Sequence, residues 1–424
     1  MLIMFRAKNF ASFRDEFVLD MRATNYREHS SHLIEIEGLP FKLLKTAAIY
    51  GANASGKSNL VSALFGFEAY ISNHFFEQET DRQVRTAFSS IHPFSLLDRQ
   101  EERIEFEMIF RQHSRIYQYG FAFEGEQICE EWFEVDGVQV FERFNDRLNI
   151  HSRYKKALNH LKDIRSDRLY LSFLDFFATG EIKEFVDDFK FFFKNHFDIH
   201  FELSIESSIK GAGTFSTRSL DRLMEDDVFR SKVAGYLRKI DLGVEDIVVE
   251  KNLQKGWFSK ESTEVPSLKI THPVYNEAGE KTGSRAFELA NESSGTLKFL
   301  AFIYEIATLM ETGGVFIVDE LSARLHPLVT KFIVDLFQSE ENLQNAQLIF
   351  TTHDVSLLNN EQFRRDEVLF VDKNQRGESS LYSLADLKKV RQDATFHKDY
   401  FNGKYGAIPI IKEPPVPASS GRGD

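Results

Sequence analysis

The stretch "KTAAIYGANASGKSNL", residues 45–60, decides the fold. A short apolar run leads into a loop with two glycines, and a helical pattern of apolar residues begins directly after it. In this order of strand, loop and helix, successive backbone N–H groups can curl around phosphate oxygens at the start of the helix. The stretch therefore predicts an α/β fold with a parallel sheet and a phosphate-binding loop.

The loop itself matches the pattern G-x-x-x-x-G-K-S. We expect Lys57 to neutralise the β- and γ-phosphates of ATP and the Ser58 hydroxyl to ligate Mg²⁺. The residues expected to bind the nucleotide here are Gly51, Asn53, Ser55, Gly56, Lys57, Ser58 and Asn59. The alternative is a chance glycine and serine turn before a helix, which the complete motif and its context disfavour.

A second stretch, "GGVFIVDELSARLHP" at residues 313–327, ends an apolar run in two adjacent carboxylates. The run 315–318 is typical of a strand buried on both faces, as in parallel sheets covered by helices. Beside a phosphate loop, Asp319 is predicted to hold Mg²⁺ and Glu320 to activate the attacking water. The alternative is a pair of solvated carboxylates that simply ends a strand.

Composition narrows the class of protein. Of 424 residues, 42% are hydrophobic and 28% are charged, which is ordinary for a globular protein. The formal charge of −13 argues against a generic electrostatic grip on nucleic acid, although a local basic groove stays open. The single cysteine, Cys129, excludes an internal disulfide and fits a reducing cytoplasm. The N-terminus resembles neither a signal peptide nor a membrane span.

Periodicity predicts how the chain is divided. We expect one discontinuous head domain at residues 1–145 and 245–410, with an antiparallel sheet at about 90–145. Residues 150–240 read as a helical insertion rich in phenylalanine, and 411–424 as a flexible tail. The chain has 42 phenylalanines. Because an exposed cluster of them would be sticky, we predict that the insertion forms an oligomerisation or effector-docking surface.

Several motifs together resemble the ABC-type ATPase heads of the SMC and RecF group. These are "KNFASF", the phosphate loop, "NESSGTLKFL", "FIVDE" and "IFTTHD". More narrowly, "LKTAAIYGANASGKSNL", "DELSARLHP" and "FNGKYGAIP" are similar to the compact OLD-like, RloA-type ATPases of abortive-infection systems. The resemblance covers both ends of the chain, and its motifs are much more specific for the ATPase class than for a biological role.

The resemblance implies a P-loop NTPase of ABC/SMC-head type that sandwiches ATP between two subunits. The signature segment would reach the γ-phosphate bound by the other subunit; its residues are Glu292, Ser293, Ser294, Gly295 and Thr296. Taken alone, this segment would be an ordinary helix cap. His353 would be the switch histidine that contacts the γ-phosphate, while Asn9 and Phe10 are weaker candidates for contacts near the base.

The sequence departs from the family pattern in three respects. Ser322 stands where these heads often carry an aspartate that contacts the partner subunit. The glutamine-bearing loop is ambiguous, because Gln78, Gln83 and Gln112 all qualify. Too few residues separate the phosphate loop from the signature segment to form a long coiled coil.

We therefore expect a cytoplasmic, Mg²⁺-dependent ATPase that forms a homodimer or higher oligomer and acts as sensor or motor of an anti-phage system. A separate effector, a nuclease or toxin, and a phage-encoded trigger would be its partners. One alternative is a RecF/SMC-like DNA-repair clamp ATPase, and another is a nucleotide-locked assembly scaffold. A transporter subunit is disfavoured, since no membrane-coupling segment is identifiable.

Overall fold

The structure is a computed structural model that describes residues 1–75, 91–98, 101–125, 127–158, 166–201, 217–240, 243–255, 262–388, 390 and 394–409. Its strands are β1 Leu2–Lys8, β2 Phe17–Asp20, β3 Leu33–Ile34, β4 Leu43–Leu44, β5 Thr46–Tyr50, β6 Arg103–Gln112, β7 Arg115–Glu124, β8 Gln127–Val135, β9 Val138–Phe144, β10 Arg147–Ile150, β11 Phe197–His200, β12 Asp246–Lys255, β13 Ser262–Tyr275, β14 Lys281–Glu288, β15 Val315–Val318, β16 Gln347–Thr351, β17 Val368–Lys373 and β18 Ser379–Ser383. Its α-helices are α1 Lys57–Phe75, α2 Lys155–Leu158, α3 Tyr170–Phe177, α4 Glu181–Asn195, α5 Thr217–Glu225, α6 Asp227–Ile240, α7 Ser294–Thr312, α8 Pro327–Gln338 and α9 Phe396–Phe401. Short 3₁₀ turns lie at Ser30–His32, Leu289–Asn291, Val355–Leu357, Arg365–Glu367 and Leu384–Asp386.

The central sheet has the strand order β11-β15-β16-β5-β17-β18, and all its neighbours are parallel except the pair β17 and β18. Successive side chains along its strands point alternately into two hydrophobic cores, one on each face of the sheet. Val315 and Ile317 of β15 face the first core, while Phe316 and Val318 face the second. Because both faces are covered, these strands need apolar side chains at every position, which explains the uninterrupted run in the sequence.

A second sheet of seven strands packs over the first core, in the order β10-β9-β8-β7-β6-β1-β2. Its strand pairs are antiparallel. The predicted α/β P-loop fold with an antiparallel sheet is thus confirmed. The sheet takes in β1 and β2 from the N-terminus as well as strands from residues 103–150, so it is wider than the predicted segment alone.

The phenylalanines of α4 form part of the first core. Phe185, Phe189, Phe192 and Phe193 are buried between the two sheets, and Phe192 stacks on Phe110 with ring centroids 4.1 Å apart. Each buried ring contributes about 1.5–3 kcal/mol of transfer free energy, which fixes the helix to the sheet. For these side chains the predicted docking surface is wrong. Among the described residues of 150–240, the exposed phenylalanines are Phe176, Phe177 and Phe191.

One strand lies inside the segment that the sequence predicted to be a helical insertion. β11, inside the predicted helical insertion, pairs in parallel with β15 at the edge of the central sheet. The outer bounds of the insertion, 150–240, stay a prediction, and the tail 411–424 lies outside the described residues.

The second core lies under α6, α7, α8 and α9, on the other face of the central sheet. A smaller antiparallel sheet, β12-β13-β14, contributes Ile247, Leu268 and Ile270 to this core. Within the described ranges, none of the helices is long and apolar enough to span a membrane.

Candidate nucleotide site

The phosphate loop leaves the end of β5 in a conformation that depends on its two glycines. Gly51 and Gly56 have φ angles of 159° and 115°. A Cβ on Gly51 would lie 2.3 Å from the carbonyl oxygen of Val371, and one on Gly56 would lie 2.5 Å from Ser379 Oγ. At position 51 only glycine fits without moving the backbone of β17, and a side chain at position 56 would displace the hydroxyls of Ser379 and Ser12.

Side chains from distant parts of the chain hold this loop in place. Ser379 Oγ lies 2.6 Å from the carbonyl oxygen of Ser55 and 2.8 Å from Ser12 Oγ. The Asn59 amide donates to Ser12 Oγ at 2.7 Å. Asn59, predicted to bind nucleotide, therefore braces the loop against the turn after β1.

Lys57 lies at the centre of the site and is only 4% exposed. Its ammonium group donates to the carbonyl oxygens of Gly51 at 3.0 Å and Ala52 at 3.2 Å. Burial lowers the pKa of Lys57, and the carboxylates of Glu320 and Asp319 oppose that shift. The lysine is thus held beneath the loop by acceptors that a phosphate oxygen can replace.

Asp319 and Glu320 are arranged around one threonine hydroxyl. Thr351 Oγ1, at the end of the adjacent strand β16, donates to Asp319 Oδ1 at 2.7 Å. The same oxygen accepts the N–H of Glu320 at 2.8 Å. Glu320 has a φ of 55°, a left-handed conformation that is rare outside glycine and asparagine. Asp319 therefore contacts Thr351, whereas the Glu320 carboxylate contacts His353.

Lys298 of α7 stabilises that turn. Its ammonium group, 2% exposed, donates to the carbonyl oxygens of Glu320 at 3.1 Å and Ala323 at 2.7 Å. Nothing in the sequence pattern singled out this lysine, because its position follows from the crossing of α7 over the end of β15. A run of apolar residues interrupted by one lysine at a helix start is the only signal that could have found it.

His353 joins the lysine to the predicted base. Its Nε2 lies 3.1 Å from Lys57 Nζ and 2.9 Å from Glu320 Oε1. A single ring nitrogen cannot both accept from the lysine and donate to the carboxylate, so the tautomer decides which contact is a hydrogen bond. The structure therefore brings the predicted Lys57, Glu320 and His353 together at the carboxyl ends of three parallel strands.

The signature segment caps α7 and faces outward. Ser293 is the N-cap, and its Oγ accepts the N–H of Thr296 at 3.1 Å. Ser293 and Ser294 are exposed. A Cβ on Gly295 would lie 3.2 Å from the carbonyl oxygen of Arg324, so this segment packs against the turn after Glu320. Glu292 accepts from His272 of its own chain at 2.8 Å when Nε2 carries the proton.

The turn after Glu320 continues into a helix start that explains the His-Pro pair. His326 is the N-cap of α8, and its Nδ1 accepts the N–H of Leu328 at 3.2 Å. Pro327 occupies the first helical position, where its missing N–H costs nothing. Ser322 Oγ pairs with Thr352 Oγ1 at 2.7 Å, so this serine contacts its own subunit.

Two weaker candidates serve the fold. The Asn9 amide donates to the carbonyl oxygens of Glu101 and Arg103 at 2.6 and 2.9 Å, and Phe10 is buried in the first core. Gln112 Oε1 lies 3.0 Å from His196 Nδ1 and accepts a hydrogen bond when that nitrogen carries the proton. Gln78 and Gln83 lie outside the described residues.

The donor set fits a triphosphate and a divalent cation. Ser55 Oγ is buried and, within the described part of the chain, has no hydrogen-bond partner, which suits an atom that turns toward a bound oxygen. The glycine cradle and the buried Lys57 supply donors for phosphate. Mg²⁺ that is bound to phosphates usually takes only one or two further ligands from the protein. The Ser58 hydroxyl and the Asp319 carboxylate are groups of the right chemistry for this role.

Comparisons with known proteins identify the family and the fold of the chain. Residues 47–359 match the sequence model of a family described as "AAA domain, putative AbiEii toxin, Type IV TA system". No curated protein matches significantly. Among solved structures, an SMC head bound to the C-terminal winged-helix domain of ScpA is similar with a TM-score of 0.52 and 15% identity, over 90% of this chain and 97% of that one.

An SMC head from Thermotoga maritima is less similar, with a TM-score of 0.42 and 15% identity over 90% of this chain and 98% of that one. The SMC-head likeness at this identity shows the fold, and the family match covers most of the chain. The chain belongs to the AAA family described as "AAA domain, putative AbiEii toxin, Type IV TA system" and has an SMC-head fold.

Proposed function

We propose that the protein is a Mg²⁺-dependent ATPase that closes as a dimer around ATP. The observation that carries this proposal is the contact of His353 with both Lys57 and Glu320, at 3.1 and 2.9 Å. A cation for the phosphates and a carboxylate for the water are the two groups that phosphoryl transfer to water needs from the protein.

The chain's own residues have separate roles in this reaction. Lys57 and the loop N–H groups bind the β- and γ-phosphates, and Glu320 accepts the proton of the attacking water. His353 senses the γ-phosphate from the adjoining strand end. Ser58 and Asp319 would hold Mg²⁺, which would supply positive charge that neutralises the phosphates.

The exposed serines support a second subunit as the source of the remaining contacts. Ser293 and Ser294 begin a 19-residue helix and are exposed. Hydroxyls and free N–H groups at a helix start form an anion site. In the proposed dimer this site faces the γ-phosphate held by the other subunit's loop.

The biological role we propose is a cytoplasmic sensor or motor in a bacterial anti-phage, abortive-infection system. The description of the matched family, which names an AbiEii toxin, supports a role in such a system. In this proposal a separate effector, a nuclease or toxin, delivers the damage, and a phage-encoded component triggers it.

The test compares wild type with Glu320→Gln, with and without DNA and the product of a neighbouring gene. We expect ATP turnover in wild type, a fall of about 10²–10⁴-fold in Glu320→Gln, and a dimer trapped by ATP in that variant. Unchanged turnover in Glu320→Gln rejects the proposed base. Turnover that depends on DNA alone favours a clamp on DNA, whereas a stable complex with a neighbouring nuclease favours defence.

A further inference from the structure

The hairpin of β13 and β14 reaches the signature segment through one histidine. His272 Nε2 lies 2.8 Å from Glu292 Oε1. The Glu292 side chain is only 8% exposed, although Asn291, Ser293 and Ser294 around it are exposed. Glu292 therefore points into its own subunit, and the two serines after it point outward.

The histidine is itself held firmly. Its ring meets the ring of Phe287 on β14 edge-on, with centroids 5.3 Å apart and planes at 75°. His272 lies opposite Arg285 in the antiparallel register of the two strands. The base of the hairpin is fixed because Leu268 and Ile270 of β13 belong to the second core, which also contains Phe299 and Leu300 of α7.

The residue that His272 contacts also closes the backbone turn before the helix. The N–H of Glu292 donates to the carbonyl oxygen of Leu289 at 3.0 Å, which closes the 3₁₀ turn before the helix. Ser293 follows with a φ of −67° and a ψ of 150°, so the chain changes direction between Glu292 and α7. The contact with His272 lies one residue before that change of direction and fixes it from the side.

We infer that His272 is a positioning residue for the signature segment. By holding Glu292 it sets the direction in which Ser293 and Ser294 leave the subunit, and so their approach to nucleotide bound by a second copy. This inference rests on the proposed ATP-sandwiched dimer. His272 does not touch the nucleotide, and a displacement of about 1 Å in such a support can reduce a rate by about 10²-fold.

The first test compares His272→Ala and His272→Gln with a matched control, His113→Ala. His113 also pairs with a carboxylate, Asp188, at 2.9 Å, but on the opposite sheet. We expect His272→Ala to lower kcat by about 10–100-fold, with unchanged affinity for ATP and an unchanged Tm. His272→Gln, whose amide can still donate to Glu292, should recover most of the rate, and His113→Ala should behave as wild type.

The second test asks in which subunit His272 acts. Lys57→Ala and His272→Ala are each weak alone, but a heterodimer of the two has one site with an intact loop and an intact signature segment. With random pairing, half of the dimers have one good site of two, so the mixture should show about a quarter of wild-type turnover. If His272 served its own subunit's loop, mixing would restore nothing.

The outcomes separate the two proposals. Wild type that neither hydrolyses ATP nor dimerises with it rejects the proposed function. Active wild type with fully active His272→Ala rejects the positioning role alone. A His272→Ala variant whose rate falls only together with its Tm, and is not recovered by His272→Gln, also rejects it.

Discussion

The phosphate loop and the signature segment are two halves of one proposed site, and they are built differently. Around the loop, side chains from several strands converge within one subunit, and Lys57 is buried against backbone carbonyls. At the signature segment, Ser293 and Ser294 are exposed, and the preceding residue, Glu292, is held by His272. The contacts of the loop lie inside the chain, whereas the signature segment places two exposed serines where the proposed second subunit would approach.

The two halves should therefore differ in how much they contribute to the stability of the fold and to ATP turnover. The loop is fixed by contacts that also hold the fold, such as Ser379 to Ser12 at 2.8 Å. The signature serines contribute little to the fold apart from capping α7, so a change there should affect assembly and rate without unfolding the chain. Substitutions in the two halves should therefore have different effects on stability, ATP binding and assembly.

The largest effect should come from Lys57→Met. Loss of the cation should lower turnover by more than about 100-fold and abolish measurable ATP binding. Because the carbonyl oxygens of Gly51 and Ala52 would lose their buried donor, we also expect a lower Tm, corresponding to a loss of about 1–3 kcal/mol in the free energy of unfolding. Turnover and ATP binding measured with a thermal melt check both parts. Full turnover in this variant would mean that the loop does not hold the phosphates.

Ser294→Arg should disrupt the signature segment. A bulky charge at the exposed helix start should block the dimer and lower turnover by about 100-fold, while each subunit still binds ATP with wild-type affinity. Sedimentation with ATP and a nucleotide-binding assay measure the two properties. Ser152→Arg, an exposed serine beside β10, is the matched control and should change neither. Loss of ATP binding by the Ser294 variant would show that the two halves are not separate.

Lys298→Met tests the link between the halves, because Lys298 belongs to α7 and holds the turn that bears Glu320. Two carbonyl oxygens would lose their buried donor, so we expect a loss of about 1–3 kcal/mol in the free energy of unfolding. Turnover should fall by about 10-fold as Glu320 loses its fixed position. Chemical denaturation and turnover give both values. Lys331→Met, which breaks an exposed pair with Asp335, should cost less than about 1 kcal/mol.

The smallest effect should come from Glu305→Gln, in the middle of α7. Burial raises the pKa of the Glu305 carboxyl to about 7, and the Asp198 carboxylate acts in the same direction. A raised carboxyl pKa favours the folded state below the unfolded value of 4.5 and loses that benefit as pH rises through about 7. The variant should therefore raise the Tm by about 1–3 °C at pH 8 and leave it unchanged at pH 4. An equal shift at both pH values would contradict this origin.

Much of the fold could be predicted because its signals are local. The loop after β5 and the carboxylates after β15 follow buried strands directly, and α7 begins directly after its serine N-cap, Ser293. The strands β11 and β14 gave no such signal. β11 has four residues, of which only Phe197 is buried, and every residue of β14 is exposed. Their pairing depends on neighbouring strands rather than on their own composition.

The phenylalanines of α4 also show what could not be predicted from the sequence. Their number indicated an apolar surface, but not whether it faced a partner or the chain's own sheet. Only the arrangement of two sheets around one helix decides that, and it buries Phe189 and Phe193 completely or nearly so.

By itself the sequence determined the phosphate loop, the Asp-Glu strand end and the class of fold, since each depends on residues adjacent in the chain. The tertiary structure alone decided which distant groups meet: His353 with Lys57 and Glu320, Lys298 beneath the turn, and His272 on Glu292. These contacts join residues far apart in sequence, and their geometry arises from the parallel order of β15, β16 and β5 and from the crossing of α7. The chemistry of the side chains indicates which residues could belong to the site, and the packing of the strands and helices decides which of them are in contact.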